Sequence, residues 1–336
     1  MTYAELESWV RAGGEPLVVR TSGSSGEPKD VVLSHAAVLA SARATLDRLG
    51  GPGQWLLALP VSGIAGIQVL VRSALAGREP VALADHPSLQ SAIDALDAPV
   101  RRYTAVVPTQ LYRWAAAEEL GALAEFDAVL VGGASLDPDL RAQAEAAGIQ
   151  LIRTYGMTET CGGCVYDGVP LDGVELRVDD DSANHGGQIW LRGPMLFDGY
   201  AGQTREPGSW FATADRGRIL DDGRLQVLGR MDETVISGGV NVPLPAVEDA
   251  IRRASGVAVA AVVGVPDAEW GTRVVAVVIP AADRSVDLDE LRGAVEAAGL
   301  ARTWAPRQLL TLDELPMLPA GKVDRERLRQ LAADTP

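Results

Sequence analysis

Six consecutive residues, Thr21-Ser-Gly-Ser-Ser-Gly26, lie between two apolar runs, and Lys29 follows three positions later. Small residues let several backbone N–H groups converge on one concavity. The hydroxyls of Thr21, Ser22, Ser24 and Ser25 add donors around Gly23 and Gly26, and such a nest holds anions. Phosphate is the expected ligand. The spacing differs from the Gly-x4-Gly-Lys-Ser/Thr of a Walker loop. A strand is predicted to follow, so no helix N-terminus would add its partial charge. Taken alone, the segment would also serve as a flexible Gly/Ser hairpin turn.

Lysine usage points to the same place. Of 30 Lys plus Arg, only Lys29 and Lys322 are lysines, and asparagine is reduced to Asn184 and Asn241. Such usage suits a base-biased genome that trades lysine for arginine wherever a surface cation merely has to be soluble. Arginine does not replace lysine where a compact, mobile point charge is needed. Both lysines are therefore candidate functional groups. Lys322 sits in Leu315-Pro-Met-Leu-Pro-Ala-Gly-Lys-Val-Asp-Arg325, a Pro/Gly-rich loop where a solvated charge is the plainer reading.

Three further segments carry groups suited to a nucleotide. In Arg153-Thr-Tyr-Gly-Met-Thr-Glu-Thr160 a tyrosine can stack on a base and a threonine can donate to a phosphate. The glutamate can hold Mg²⁺ through oxygen. In Trp210-Phe-Ala-Thr-Ala-Asp215 an acid ends an apolar run, placed to accept from ribose hydroxyls or simply to form a turn. Gly229-Arg-Met-Asp-Glu-Thr-Val-Ile-Ser-Gly-Gly-Val-Asn-Val-Pro243 holds Arg230, Asp232 and the pair Gly238-Gly239, which would let another molecule approach the backbone. Cys161-Gly-Gly-Cys164 is too little for a structural zinc site, and small residues shaping a pocket are expected there. His35, His86 and His185 form no spaced cluster.

The elements that must position these groups alternate. Leu17–Arg20 and Asp30–Leu33 read as strands. Ser34 then caps a helix running to Leu49, with Val38, Ala42, Leu46 and Leu49 on one face. Apolar segments at Trp55–Leu59, Pro80–Leu83, Tyr103–Val107 and Ala128–Val131 are separated by Ala-rich helical stretches such as Leu136–Ala147, which predicts a layered α/β domain. Near Arg218–Arg230 the pattern changes to a hairpin around Asp221-Asp222-Gly223. Helical Pro243–Arg253, strands Val257–Val265 and Arg273–Ile279, and helical Leu288–Ala298 follow. A large α/β domain over 1–230 and a small α+β domain over 231–336 are expected.

Composition narrows the class. A net charge of −15 argues against nucleic acid as partner. The N-terminal Met-Thr-Tyr-Ala-Glu-Leu-Glu-Ser stretch does not read as an export signal. Apolar runs such as Val257–Val263 fall far short of a membrane span. Two cysteines make no disulfide framework. A cytoplasmic protein is expected.

In this order, these segments resemble the acyl-adenylate-forming superfamily of acyl-CoA synthetases, peptide-synthetase adenylation domains and luciferases. The resemblance runs from the opening loop almost to the C-terminus. It implies ATP and Mg²⁺, with coenzyme A as co-substrate, and an active site between a large and a small domain. By resemblance, Thr21, Ser22, Gly23, Ser24, Ser25, Gly26 and Lys29 grip the β- and γ-phosphates. Gly132 and Gly133 belong to the ATP/AMP site, Tyr155 binds adenine, Thr158 the α-phosphate, and Glu159 the Mg²⁺. Asp215 and Arg230 bind ribose, Asp232 is the hinge, Gly238 and Gly239 line the coenzyme A arm, and Lys322 is the adenylation lysine.

Amino-acid-activating members carry an aspartate that pairs with the substrate ammonium; Leu59-Pro-Val-Ser-Gly-Ile-Ala-Gly66 has no acid. Val107-Pro-Thr-Gln-Leu111 and the run from Met157 through Gly173 resemble short actinobacterial o-succinylbenzoate–CoA ligases of menaquinone biosynthesis. This would account for a phosphate loop that comes so early. One departure is Gly63, where relatives usually carry histidine. The acyl pocket is expected at Gly63, Thr109, Gln110, Gly162 and Gly163, with Arg72, Arg113 or Arg153 for a second carboxylate. A ligase for another aryl or acyl acid, or a non-catalytic nucleotide-binding homologue, remains the alternative.

Overall fold

The computed structural model describes residues 2–21, 29–134, 136–179, 186–231, 233–281, 284–316 and 323–335. Packing divides the chain into two compact units. The first comprises Met1–Leu176, Leu191–Phe211 and Gly223–Leu225; the second comprises Arg177–Trp190, Ala212–Asp222 and Gln226–Pro336.

The first unit opens with α1 (Tyr3–Ala12), β1 (Leu17–Thr21), β2 (Lys29–Leu33), α2 (His35–Arg48), β3 (Gln54–Leu57), α3 (Ile64–Ala76) and β4 (Val81–Ala82). It continues through α4 (Leu89–Asp94), β5 (Arg102–Val106), α5 (Pro108–Ala116), β6 (Ala128–Val131), α6 (Pro138–Ala146), β7 (Leu151–Met157), β8 (Gly162–Tyr166) and β9 (Val169–Pro170). Local chemistry sets several of the helix starts. The Ser34 hydroxyl accepts from the Ala37 N–H at 3.3 Å, and Asp137 caps α6 in the same way.

Seven strands form one sheet in the order β4-β3-β5-β6-β7-β8-β9. From β4 to β7 the pairs are parallel, and β8 and β9 add antiparallel. Side chains alternate across it, as the strand period requires. Trp55, Tyr103, Ala105, Ala128 and Leu130 pack on one face with Leu46 and Val69 of α2 and α3. Leu56, Val106, Val129 and Val131 pack on the other with α4, α5 and α6. Both faces are covered by helices, which is why these strands are apolar throughout.

Next along the chain come β10 (Glu175–Val178), β11 (Gly187–Arg192), β12 (Gly199–Tyr200) and β13 (Gln203–Thr204). A second sheet of the first unit has the order β1-β2-β12-β13. Its antiparallel β1–β2 pair closes at Thr21↔Lys29, so the loop does join strand to strand.

In the second unit β14 (Phe211–Ile219) and β15 (Leu225–Arg230) are neighbours, and β16 (Thr234–Ser237), β17 (Val240–Pro243), α7 (Leu244–Ile251), β18 (Val257–Asp267), β19 (Gly271–Pro280), α8 (Leu288–Ala297), β20 (Gln308–Thr311) and α9 (Arg325–Asp334) follow. Strands β17-β16-β19-β18, with β20 on β19, form its sheet. Ala260, Val262, Val274 and Ala276 face α7 and α8, while Ala261, Val263, Val275 and Val277 face α9. Among the described residues no helix is long and apolar enough to cross a membrane.

One expectation is corrected here. Asp215 does not end its strand; it lies in the middle of β14. A carboxylate is tolerated there because Arg230 of the adjacent β15 places Nη1 3.7 Å from Asp215 Oδ1. The Asp215 N–H also donates to the Thr213 hydroxyl at 3.1 Å.

Candidate active site

Parallel strands deliver their C-terminal ends to one edge, where open α/β sheets bind ligands. Four expected groups emerge at that edge of the first unit. Gly63 caps α3 after β3, Thr109 and Gln110 begin α5 after β5, and Gly132-Gly133 follow β6. Tyr155 lies in β7, which leads directly into Thr158 and Glu159. The Gln110 amide is engaged with the backbone. Its oxygen accepts from the Val107 N–H at 3.0 Å, and its nitrogen donates to the Ala58 carbonyl at 2.7 Å. Gln110 thus ties the exits of β5 and β3 together, while Thr109 is exposed.

Thr158–Thr160 forms a single tight turn. Buried Thr160 locks it: its hydroxyl accepts from the Met157 N–H at 2.8 Å and donates to the Gly162 carbonyl at 2.6 Å. Gly156 is required at the crossing of β7 and β8, since a Cβ there would stand 2.1 Å from the Gly162 carbonyl oxygen. Thr158 and Glu159 are thereby left half-buried.

The Glu159 carboxylate has a partner that the sequence did not suggest. The Tyr200 hydroxyl donates to Glu159 Oε1 at 3.0 Å. Lys29 Nζ stands 5.1 Å from the centroid of the same tyrosine ring. Burial, and then the Glu159 charge, raise the Tyr200 pKa, so the phenol remains a donor. Lys29 and Glu159 are thus gathered around one side chain, and Thr21 pairs with Lys29 across the two strands. Ser22, Gly23, Ser24, Ser25 and Gly26 lie outside the described residues, as do Asp232 and Lys322.

The fit to Mg²⁺ can be judged from the donor set. No cluster of three or more His, Cys, Asp or Glu suited to a metal occurs among the described residues. A dedicated protein cage is therefore not offered there. A single oxygen ligand such as Glu159 suits a Mg²⁺ that keeps its waters and shares substrate phosphates.

Burial separates the three arginines proposed for a second carboxylate. Arg113 is exposed, and Arg153 donates to Asp167 at 3.2 Å. Arg72 of α3 is only 3% exposed. Its guanidinium lies 4.9 Å from the Trp55 ring centroid, and its Nε has no hydrogen-bond partner. Among the described residues no carboxylate lies within ion-pair distance of it. Burial therefore pulls its pKa below the ordinary guanidinium value, and nearby Tyr166 offsets part of that. One turn earlier on α3, Gln68 is buried with its Oε1 unpartnered, and its Cγ is 3.4 Å from where a Gly162 Cβ would lie. Gly163 approaches the Tyr166 ring. Gly162, Gly163, Gln68 and Arg72 therefore share one neighbourhood.

In the second unit, Asp215 and Arg230 form the pair already described. Gly238 and Gly239 make the two-residue turn between β16 and β17, both with left-handed φ, +59° and +79°. That turn demands glycine-like conformations by itself. It also brings the Gly238 N–H to the Trp270 carbonyl at 2.9 Å.

Cys161 and Cys164 are both fully buried free thiols. Burial pushes the Cys164 pKa up to about 12 and raises that of Cys161 as well. Neither should form thiolate near neutrality. Native protein should therefore resist iodoacetamide at both positions, and denatured protein should be labelled at both. Rapid native labelling, read by mass spectrometry, would restore a redox or metal role.

Two family models match this chain: AMP-binding enzyme over residues 17–201, and AMP-binding enzyme C-terminal domain over residues 246–322. A probable 2-succinylbenzoate–CoA ligase of Mycobacterium tuberculosis is 46% identical over 326 residues, covering 93% of this chain and 83% of the relative. The structure of o-succinylbenzoate CoA synthetase (MenE) from Bacillus subtilis, in complex with the acyl-adenylate intermediate OSB-AMP, superposes with a TM-score of 0.75 at 27% identity. It covers 93% of this chain and 68% of that one. ATP-bound MatB from Rhodopseudomonas palustris gives the same TM-score, 0.75, and identity, 27%, with coverages of 94% and 68%.

Proposed function

Because the chain belongs to the AMP-binding enzyme family, we propose that it joins o-succinylbenzoate to coenzyme A through an acyl-adenylate. It is an ATP-dependent, AMP-forming acid–CoA ligase. Likeness of fold does not by itself select the acid. The 46% identical relative points to o-succinylbenzoate. The observation in the molecule that carries the choice is Arg72, a buried cation that has no carboxylate partner among the described residues. A substrate with a second carboxylate would supply the missing charge.

A carboxylate is a poor acyl donor because its leaving group would be oxide. In the first half-reaction, an oxygen of the succinyl carboxylate attacks the ATP α-phosphorus and pyrophosphate departs. In the second, the coenzyme A sulfur attacks the acyl carbonyl, loses its proton and expels AMP. The residues must hold the reactants in line and neutralise phosphate charge. Thr21 and Lys29 flank the loop assigned to the β- and γ-phosphates, and Thr158 is assigned to the α-phosphate. Tyr155 stacks with the adenine beside Gly132 and Gly133, while Asp215 and Arg230 hold the ribose. Glu159 would hold Mg²⁺, which would supply positive charge to the phosphate oxygens. Lys322 supplies the remaining positive charge for adenylation. Turning about Asp232 then withdraws it and brings Gly238-Gly239 to the thiol arm. We place the reaction in the cytoplasm, which supplies both ATP and coenzyme A.

Pyrophosphate release across a panel of carboxylic acids tests the substrate. A clear preference for o-succinylbenzoate over benzoate is expected. Equal rates with the two acids would reassign the chain to another acyl substrate, and no ATP–pyrophosphate exchange with any acid would make it a non-catalytic homologue.

A further inference from the structure

We propose that Tyr200 is a positioning residue, which aligns the Glu159 carboxylate for the metal–phosphate complex and holds Lys29 beside it. The inference rests on the ATP-site assignment above and adds a residue to it.

Residues 197–201 form a bracket between two parts of the site. On one side they are stitched to β2: Tyr200 pairs with Val31, Asp198 N–H donates to the Val32 carbonyl at 2.9 Å, and Ala201 N–H donates to the Asp30 carbonyl at 2.9 Å. That strand begins with Lys29. On the other side they hold Glu159 twice. Phe197 N–H donates to the Glu159 carbonyl at 2.9 Å, and the Tyr200 hydroxyl donates to the carboxylate at 3.0 Å. The Phe197 ring meets the Tyr200 ring edge-on at 5.1 Å, which limits its rotation.

The chemistry follows from which oxygen is taken. Tyr200 engages Oε1 of Glu159, and among the described residues Oε2 has no hydrogen-bond partner, so it would be the oxygen offered to a hard cation. A ligating carboxylate without such a partner turns among rotamers, and loss of an outer partner weakens metal binding roughly 10- to 100-fold. The electron-rich ring face adds a modest attraction for the Lys29 ammonium. One side chain thereby spaces the lysine from the carboxylate and discourages their direct pairing, which would neutralise both before ATP arrives.

Tyr200→Phe keeps the ring and removes the hydroxyl. Calorimetric titration without any acid, hence without turnover, should show MgATP affinity falling roughly 10- to 100-fold. Affinity for metal-free ATP should stay at the wild-type level. Tyr200→Leu, which also removes the ring face, should weaken metal-free ATP as well. Wild-type MgATP affinity in Tyr200→Phe would overturn the proposal, provided Glu159→Gln lowers it. If Glu159→Gln also leaves MgATP affinity unchanged, the assignment of Glu159 to the metal has failed. A general loss of stability is distinguished by the double variant: a positioning effect vanishes in the Glu159→Gln background, and a folding effect persists.

Discussion

Lys322→Ala is expected to slow adenylate formation by roughly 10²- to 10³-fold, the scale of removing one preorganised charge donor from a developing anion. Thioester formation from synthetic acyl-adenylate and coenzyme A should proceed at the wild-type rate. The reasoning begins with composition. A chain with 28 arginines and two lysines carries Lys322 in a Pro/Gly-rich stretch of sequence, where solubility alone would be served by either cation. A compact ammonium can enter between phosphate and carboxylate oxygens; a planar guanidinium is wider and binds as a fork. Lys322→Arg should therefore fail to restore adenylation although it restores the charge. Pyrophosphate release measures the first half-reaction and thioester absorbance the second. Equal loss of both would remove the division of labour and make the lysine a general binding residue.

Arg72→Met is expected to lower kcat/KM for o-succinylbenzoate on the order of 10²- to 10³-fold, the range for a buried charge pair that loses one partner. Acids with a single carboxylate should lose far less. The same variant should melt at a higher temperature than the wild type. Arg72 is 3% exposed with an unpartnered Nε, and its depressed pKa means that burial disfavours its charged form. Replacing such a charge by an apolar side chain of similar length relieves that penalty in the free protein. Lost selectivity together with gained stability is a combination that simple damage to the core does not produce. A lower melting temperature with uniform loss across acids would place Arg72 among packing residues, its ring contact with Trp55 being the reason. The acid panel and a thermal melt provide both readings.

Much of the frame was legible because it is set by near neighbours. The Ser34 cap, the apolar run Tyr103–Val107 and the Asp-Gly hairpin near Gly223 depend on residues a few positions apart. The strand–loop–strand setting of Thr21–Lys29 was read in the same way. Asp215 was misplaced at a strand end, since an acid after an apolar run usually marks a turn. Its tolerance inside β14 comes from Arg230, which only strand pairing brings alongside. The Gly238-Gly239 pair was read for its openness, while the hairpin between β16 and β17 supplies an independent backbone reason for it.

The sequence by itself determined which chemical groups are present and their order: a phosphate loop, a Tyr-Gly-Met-Thr-Glu exit, a Gly-Gly turn and two isolated lysines. That was enough for the reaction class, because hydroxyl, carboxylate and ammonium groups carry their chemistry wherever they stand. Tertiary structure alone decided which arginine lacks a carboxylate among the described residues, since Arg72, Arg113 and Arg153 are the same residue type and differ only in burial and partners. It also decided that Tyr200 joins Glu159 to Lys29, residues that no local pattern relates. Desolvation and long-range contact arise only when strands distant in sequence pair and helices cover them, and these two effects select among groups that composition leaves equal.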